Sequence, residues 1–236
     1  MGNTLLSYAP LGTSWRKSEQ PGIDGLYWEF VGLGYCQKLT PDAFVDKLFG
    51  RLQRGWQAAV VGKTNLRAAD WIAESMVELR IPPSVAPIDE LVALYIAPRR
   101  ATLAARPGAT TTLAALRAQG YQLGLISNTI WPGRAHRADL ASLELLDYFD
   151  ELSFSGDLGI WKPAPEIFLR TAEALGASAS ETLFVGDSPQ EDILGAQAAG
   201  MRAVWVQTPE FALGNVQPDG QITSLSELPA LLEAWR

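Results

Sequence analysis

A hydroxyl, an ammonium and two carboxylates fall at the ends of three apolar runs in this sequence. LGLIS ends in Ser127 and is followed by Asn128; ELSFSGDLGIWKP runs into Lys162; TLFVG opens into GDSPQED, which supplies Asp187 and Asp192. If these runs are parallel strands, their C-terminal ends share one rim, and that rim is where open α/β sheets bind ligands. Taken singly, each residue has an ordinary role: Ser127 as a loop cap, Lys162 as a solvated lysine, Asp187 as a turn or cap residue, Asp192 as a first-turn charge favoured by the helix dipole. Their placement on successive strand ends is what points to chemistry. Two acids beside one helix start, with no cation near them in sequence, suit a divalent cation. Mg2+ favours carboxylates together with water and phosphate oxygens.

The elements that must position these residues follow from periodicity. From Thr110 onward helical and apolar runs alternate: TTTLAALRAQG as helix with Gly120 as its stop, YQLGLIS as strand, ADLASLELLDYF as helix, ELSFS as strand, PEIFLRTAEALG as helix. TLFVG and RAVWVQ read as further strands, EDILGAQAAG as a helix between them, and SELPALLEAW as a last helix capped by Ser226. Strands alternating with helices of about ten residues predict a mostly parallel α/β sheet with buried, uniformly apolar strands. Residues from about 12 to 105 behave differently. TPDAFVDKLFGRLQRGW carries Phe44, Leu48, Leu52 and Trp56 four apart, behind Thr40 as cap and Pro41 in the first turn. RAADWIAESMVELR and IDELVALYIAP read as two more amphipathic helices, stopped by Pro82 and Pro98. This stretch is predicted to be an all-helical insertion.

With 236 residues, 47% of them apolar, the chain can bury a sizeable core. A net charge of -7 argues against general nucleic-acid binding, yet leaves room for a locally positive site for a phosphorylated small molecule. Cys36 is the single cysteine, so no internal disulfide forms, which suits a reducing compartment. No apolar run is long enough to span a bilayer and no basic stretch precedes an apolar one at the N-terminus. A cytoplasmic protein with no membrane partner is expected; oligomeric state is not encoded in any pattern here.

LGLISNT, WKPAPEIF and VGDSPQEDILGAQAAGM together resemble the second, third and fourth motifs of the haloacid dehalogenase superfamily, over residues 106–208. The resemblance implies a three-layer Rossmann-like core (1–11 and 106–236) and an inserted helical cap (12–105). It also implies a Mg2+-dependent hydrolase of a small phosphorylated metabolite, acting through an aspartyl-phosphate. Ser127 and Lys162 would then hold the phosphoryl oxygens, Asn128 would shape the phosphate loop, and Asp187 and Asp192 would bind the metal, the latter through water or from outside the first ligands. The family's first motif is an apolar strand followed by Asp-x-Asp-x-Thr. Aligned on Thr4, which would brace the turn, Met1-Gly2-Asn3-Thr4 supplies the residues after the attacking Asp. The resemblance therefore places that Asp and its strand immediately before Met1, with the chain starting at an internal methionine and inactive without them. Gly2 stands at the acid/base position. Its carbonyl can still ligate a metal, but it has no proton to give.

Other residues carry weaker signals. His136 is read as a solvated loop or helix-start histidine, Trp131 as loop packing, and the aromatic run Leu26 to Tyr35 as core packing near the cap junction. Arg99, Arg100 and Arg106 are read as exposed hinge charges. The competing reading is a non-catalytic phosphate- or partner-binding protein of the same fold, which Gly2 favours. Carbon–halogen cleavage is disfavoured by the metal-like VGDS stretch.

Overall fold

The computed structural model describes residues 1–10 and 12–235. The chain opens in a tight turn, where the Met1 carbonyl accepts from the Leu5 and Leu6 amides at 2.9 and 3.0 Å. It leads into strand β1 (Leu6–Ser7), which pairs antiparallel with β2 (Ala104–Ala105). All of the cap helices leave and return through this small ribbon: α1 (Trp15–Gly32), α2 (Pro41–Val60), α3 (Ala68–Glu78) and α4 (Ile88–Arg100).

In α2 the Thr40 hydroxyl accepts from the Ala43 amide at 3.2 Å, and Phe44, Val45, Leu48 and Leu52 form the buried stripe. Helix α1 has no clear signature in the sequence. Its buried residues Ile23, Leu26, Tyr27 and Phe30 recur at helical spacing, while Trp28 between them is exposed, so the aromatic run is core packing on a helix. Gly22 allows α4 to approach α1 closely, because a β-carbon there would strike the Tyr95 carbonyl. Helix α4 runs on through Pro98, where a stop was expected. A proline removes only one amide donor, and ion pairs from Arg99 and Arg100 hold the last turn in place. Trp71 anchors the centre, packed on Tyr95 with its indole N–H donating to the Leu48 carbonyl at 3.2 Å.

The core begins with α5 (Ala109–Ala118), ended as expected at Gly120, whose φ is 85°. Strand β3 (Gly124–Ser127) pairs in parallel with β4 (Glu151–Phe154). Between them α6 covers Gly133–Ser142, earlier than the predicted span. Glu144 adopts a left-handed φ of 57° that breaks the helix, and Leu146–Tyr148 forms only a 3-10 turn. Next come α7 (Ser155–Leu158) and α8 (Pro165–Ala174), then a second parallel sheet in the order β5 (Leu183–Gly186), β6 (Arg202–Val206), β7 (Gly220–Ile222). A wide turn over Pro189–Leu194 and the short α9 (Gly195–Ala198) connect β5 to β6. The last helix, α10 (Leu228–Ala234), follows a 3-10 turn capped by Ser224, not Ser226: Ser224 and Glu227 satisfy each other's backbone amides reciprocally.

The two parallel half-sheets do not join. Among the described residues no strand pairs with the free edges of β3 and β5. A slot of about 620 Å³ separates them, walled by Leu125 and Ile126 on one side and Phe184 and Val185 on the other. Among the described residues no helix is long and apolar enough to cross a membrane.

Candidate active site

Where β3 and β5 end, a second cavity of about 620 Å³ opens between core and cap. Gly2, Ser127, Asn128, Lys162, Asp187 and Asp192 all line it. Thr4 lines the slot instead, and reaches the site through its hydroxyl, which donates to Asp187 Oδ1 at 2.5 Å. The residues singled out from sequence are thus brought together, in distinct roles.

Lys162 is buried, and its Nζ donates to Asp192 Oδ1 at 2.5 Å. Burial alone would strip its proton, but the attraction of Asp192 outweighs this and lifts its pKa above the ordinary lysine value. Burial likewise works against the Asp192 anion, and Lys162 overcomes it, so that carboxyl lies below its usual range. The two directions agree on a charged pair. Asp192 Oδ2 accepts from the Ser188 amide at 3.0 Å, so both of its oxygens are engaged by the protein. Gly186 makes room for this carboxylate, since a β-carbon there would collide with it. Asp187 is pushed up by burial and then by Asp192. Its backbone carbonyl accepts from the Trp205 indole at 2.9 Å, which fixes the turn after β5.

Asn128 acts as a stitch. Its Oδ1 accepts from the Lys162 amide at 2.8 Å, and its Nδ2 donates to the Lys162 carbonyl at 2.9 Å and to Glu191 Oε2 at 2.8 Å. With the amide so committed, Asn128 holds the Lys162 loop against the end of β3; a direct contact with substrate is not needed to explain it. Ser127 differs: its hydroxyl has only a long 3.4 Å contact to the adjacent Asn128 carbonyl. It is the loosely held donor on the rim.

Four residues depart from their expected roles or carry no signal in the sequence. Glu191, one residue before Asp192 in the same acidic run, lines the cavity, and burial pushes its carboxyl up. His136 is a buried wall of the cavity, not a solvated residue, and burial drives its pKa down to about 3. Its tautomer follows by elimination. Tyr8 donates its hydroxyl to Asp139 Oδ2 at 2.9 Å, so the Tyr8 oxygen accepts from His136 Nδ1 at 3.2 Å. His136 Nε2 is then the acceptor for the Thr129 hydroxyl at 2.7 Å, and that hydroxyl accepts from the Trp131 amide at 3.0 Å. Thr129 is thereby tied to the wall while Ser127 stays available. Arg99 and Arg100 are not exposed hinge charges. Arg100 Nε donates to the fully buried Asp139 at 2.5 Å, and Arg99 Nη1 donates to buried Glu19 at 2.6 Å. The guanidinium of Arg99 also lies over the rings of Tyr8 and Trp131, whose own ring stacks on His136, so Trp131 is loop packing as expected. No sequence pattern links residues 19 and 99.

The donor set suits Mg2+. Among the described residues no three His, Cys, Asp or Glu side chains form a ready cage. Mg2+ does not ask for one, since it keeps several waters and takes one or two carboxylates with phosphate oxygens. Asp187 and Gly2, through its backbone carbonyl, line the cavity and would hold it, with Asp192 committed to Lys162 and the Ser188 amide.

Comparison with known proteins places the chain by family and fold. A family model described as haloacid dehalogenase-like hydrolase matches residues 23–200. A phosphoserine phosphatase of Thermus thermophilus is 39% identical over 125 residues, 52% of this chain and 49% of that protein. A glyceraldehyde 3-phosphate phosphatase of Pyrococcus furiosus is 34% identical over 132 residues, 54% of this chain and 52% of the relative. The chain spans about half the length of the curated relatives it matches. Among solved structures, a 2-haloacid dehalogenase from Pseudomonas syringae pv. Tomato superposes with a TM-score of 0.74 at 26% identity, covering 100% of this chain and 96% of that one.

Proposed function

The chain belongs to the haloacid dehalogenase-like hydrolases, and from that premise we propose that its site serves Mg2+-dependent hydrolysis of small phosphate monoesters. One observation carries the reading: a loosely held hydroxyl, a lysine kept charged by a buried carboxylate, and a second carboxylate face one cavity beneath the cap. Ser127 and Lys162 would hold the phosphoryl oxygens where negative charge builds up in the transition state. Asp187 and the Gly2 carbonyl would hold Mg2+, which when bound screens the anionic oxygens of the ester. Asp192 keeps Lys162 protonated and in place. Thr4 and Asn128 brace the two loops.

The attacking carboxylate is assigned, on this reading, to an apolar strand seated in the slot between β3 and β5 and leading into Met1. Support comes from the slot itself: two parallel edges with unpaired backbone groups, apolar walls, and a floor that ends at Met1, Thr4, Lys162 and Asp192. Gly2 donates no proton to the leaving group. Loss of such assistance costs roughly 10²- to 10⁴-fold in rate. Leaving groups that need little help are therefore favoured.

The test compares Mg2+-dependent hydrolysis of an aryl phosphate by the chain of 236 residues and by one carrying an apolar strand that ends in Asp ahead of Met1. Hydrolysis by the longer chain, lost on Lys162→Ala, is the expected result. Silence in both, with retained phosphate binding, would favour a non-catalytic binding protein, the reading that Gly2 supports. Chloride or bromide release from a 2-haloacid without Mg2+ would overturn the phosphatase assignment.

A further inference from the structure

We propose that the cap selects phosphate esters whose leaving group is uncharged and hydroxyl-bearing, of polyol or sugar type, and rejects those carrying a second negative charge. The proposal rests on the phosphoryl site described above and extends it to the other end of the cavity.

The lining is short of positive charge. Among the described residues, Arg99 and Lys162 are the cationic side chains of the wall, against the carboxylates of Glu19, Asp187, Glu191, Asp192 and Glu210. His136 adds none, being held neutral by burial and by its place between Thr129 and Tyr8. Lys162 is used up by Asp192 and the phosphoryl group. A bound Mg2+ is offset by a phosphate group of charge near -2. The Met1 amino group also lines the cavity, at the phosphoryl end beside Lys162, Asp187 and Asp192; at the other end Arg99 remains to meet a second anion, and it is already neutralised. Glu19, 4% exposed, accepts from Arg99 Nη1 at 2.6 Å, from the Trp15 indole at 3.0 Å and from the Tyr95 hydroxyl at 2.5 Å. Those contacts lock the carboxylate against the guanidinium, which is itself pinned over Tyr8 and Trp131. On the far wall Glu210 adds another negative charge; its Oε1 accepts from the Gly12 amide at 2.9 Å, and its buried Oε2 has no hydrogen-bond partner. A carboxylate on the leaving group would face Glu210 and the Glu19–Arg99 pair with no free cation. A hydroxyl would find an acceptor at Glu210 and apolar ring surface from Trp15 and Trp56.

The test is calorimetric binding to the full chain in Mg2+, using glycerol 3-phosphate and 3-phosphoglycerate, which share a three-carbon skeleton and differ in one hydroxymethyl-for-carboxylate exchange. Glycerol 3-phosphate is expected to bind at least about tenfold more tightly, a penalty in keeping with one uncompensated charge in a partly buried site. Glu19→Gln releases Arg99 and should bring the ratio to near unity or reverse it. Arg99→Gln leaves Glu19 unpaired and should widen it; the two variants move the ratio oppositely, so a folding defect in either cannot mimic the result. Equal or tighter binding of 3-phosphoglycerate to the unmodified chain, or a ratio unmoved by both substitutions, overturns the proposal. Failure of inorganic phosphate to bind, or binding indifferent to Ser127→Ala, overturns the phosphoryl site beneath it and this inference with it.

Discussion

The two cavities have the same volume, about 620 Å³ each, and differently composed walls. The slot between β3 and β5 is bounded by strand edges and by side chains such as Leu113, Phe168 and Val185. The cleft under the cap is bounded by carboxylates, two cationic side chains and a buried histidine, set among the rings of Trp15, Trp56 and Trp131. They meet at Met1, Lys162 and Asp192, which line both. Size therefore says little about purpose here. A space walled by apolar side chains and free strand edges is suited to a strand, because another backbone satisfies those amides and carbonyls while its side chains cover the apolar walls. A space walled by fixed charges is suited to a small polar ligand.

The largest effect should come from filling the slot. The chain extended by an apolar strand should melt higher, by about 2–4 °C for each kcal/mol gained in a domain of this size. It should also protect the β3 and β5 amides in hydrogen exchange. An unchanged melt with unprotected edges would break the comparison by making the slot an ordinary surface cleft.

Lys162→Met tests the junction. Removing one member of a buried ion pair strands the other, at a cost of about 3–5 kcal/mol, and phosphate binding should vanish with it. The double change Lys162→Met with Asp192→Leu should recover most of the melting temperature and none of the binding. Recovery of both would mean that the pair does not serve the ligand.

A histidine of the cleft wall, absent from the slot, gives a third comparison. The folded-state pKa of His136 is depressed to about 3, against 6.5 when exposed. Between those values the unfolded chain binds a proton that the folded chain does not, so stability is lost as pH falls below 6.5. From pH 6.5 to 5 this amounts to about 2 kcal/mol. Asp187 and Glu191, raised by burial, contribute slopes of the opposite sign in their own range, so the difference between wild type and His136→Gln isolates the imidazole. Thermal melts across that range should slope less in the variant; parallel slopes would place the imidazole in water.

Ser127→Ala is the mildest test. The hydroxyl makes only a 3.4 Å contact, so the melt should shift by no more than about 1–2 °C while phosphate binding weakens by roughly tenfold. A large loss of stability would make Ser127 a structural residue.

Much of this is legible along the chain. The ends of β3 and β5 carrying Ser127 and Asp187, and the Lys162 loop that follows β4 and α7, can be read because parallel strands place their C-terminal ends together, and the helices α2 and α3 because their buried residues recur every three or four positions. Helix α1 escapes because Pro21 and several glycines interrupt a weak stripe, and Pro98 has less stopping power than its type suggests once ion pairs clamp the turn behind it. His136 and Arg99 mislead for a shared reason. Nothing within a few residues of either shows what it will contact, since Tyr8 and Thr129 meet His136, and Glu19 meets Arg99, from other elements.

The sequence by itself determined which chemical groups follow the strands and that an all-helical stretch is inserted ahead of them, because pattern and spacing are local properties. Tertiary structure alone decided which of those groups are free to act. Ser127 is loosely held while Thr129, two residues on, is tied to His136; Lys162 is charged because Asp192 is buried against it; Arg99 is spent because Glu19, 80 residues earlier, closes on it. Availability depends on burial and on partners brought in from distant segments, and neither is written in any short stretch of chain.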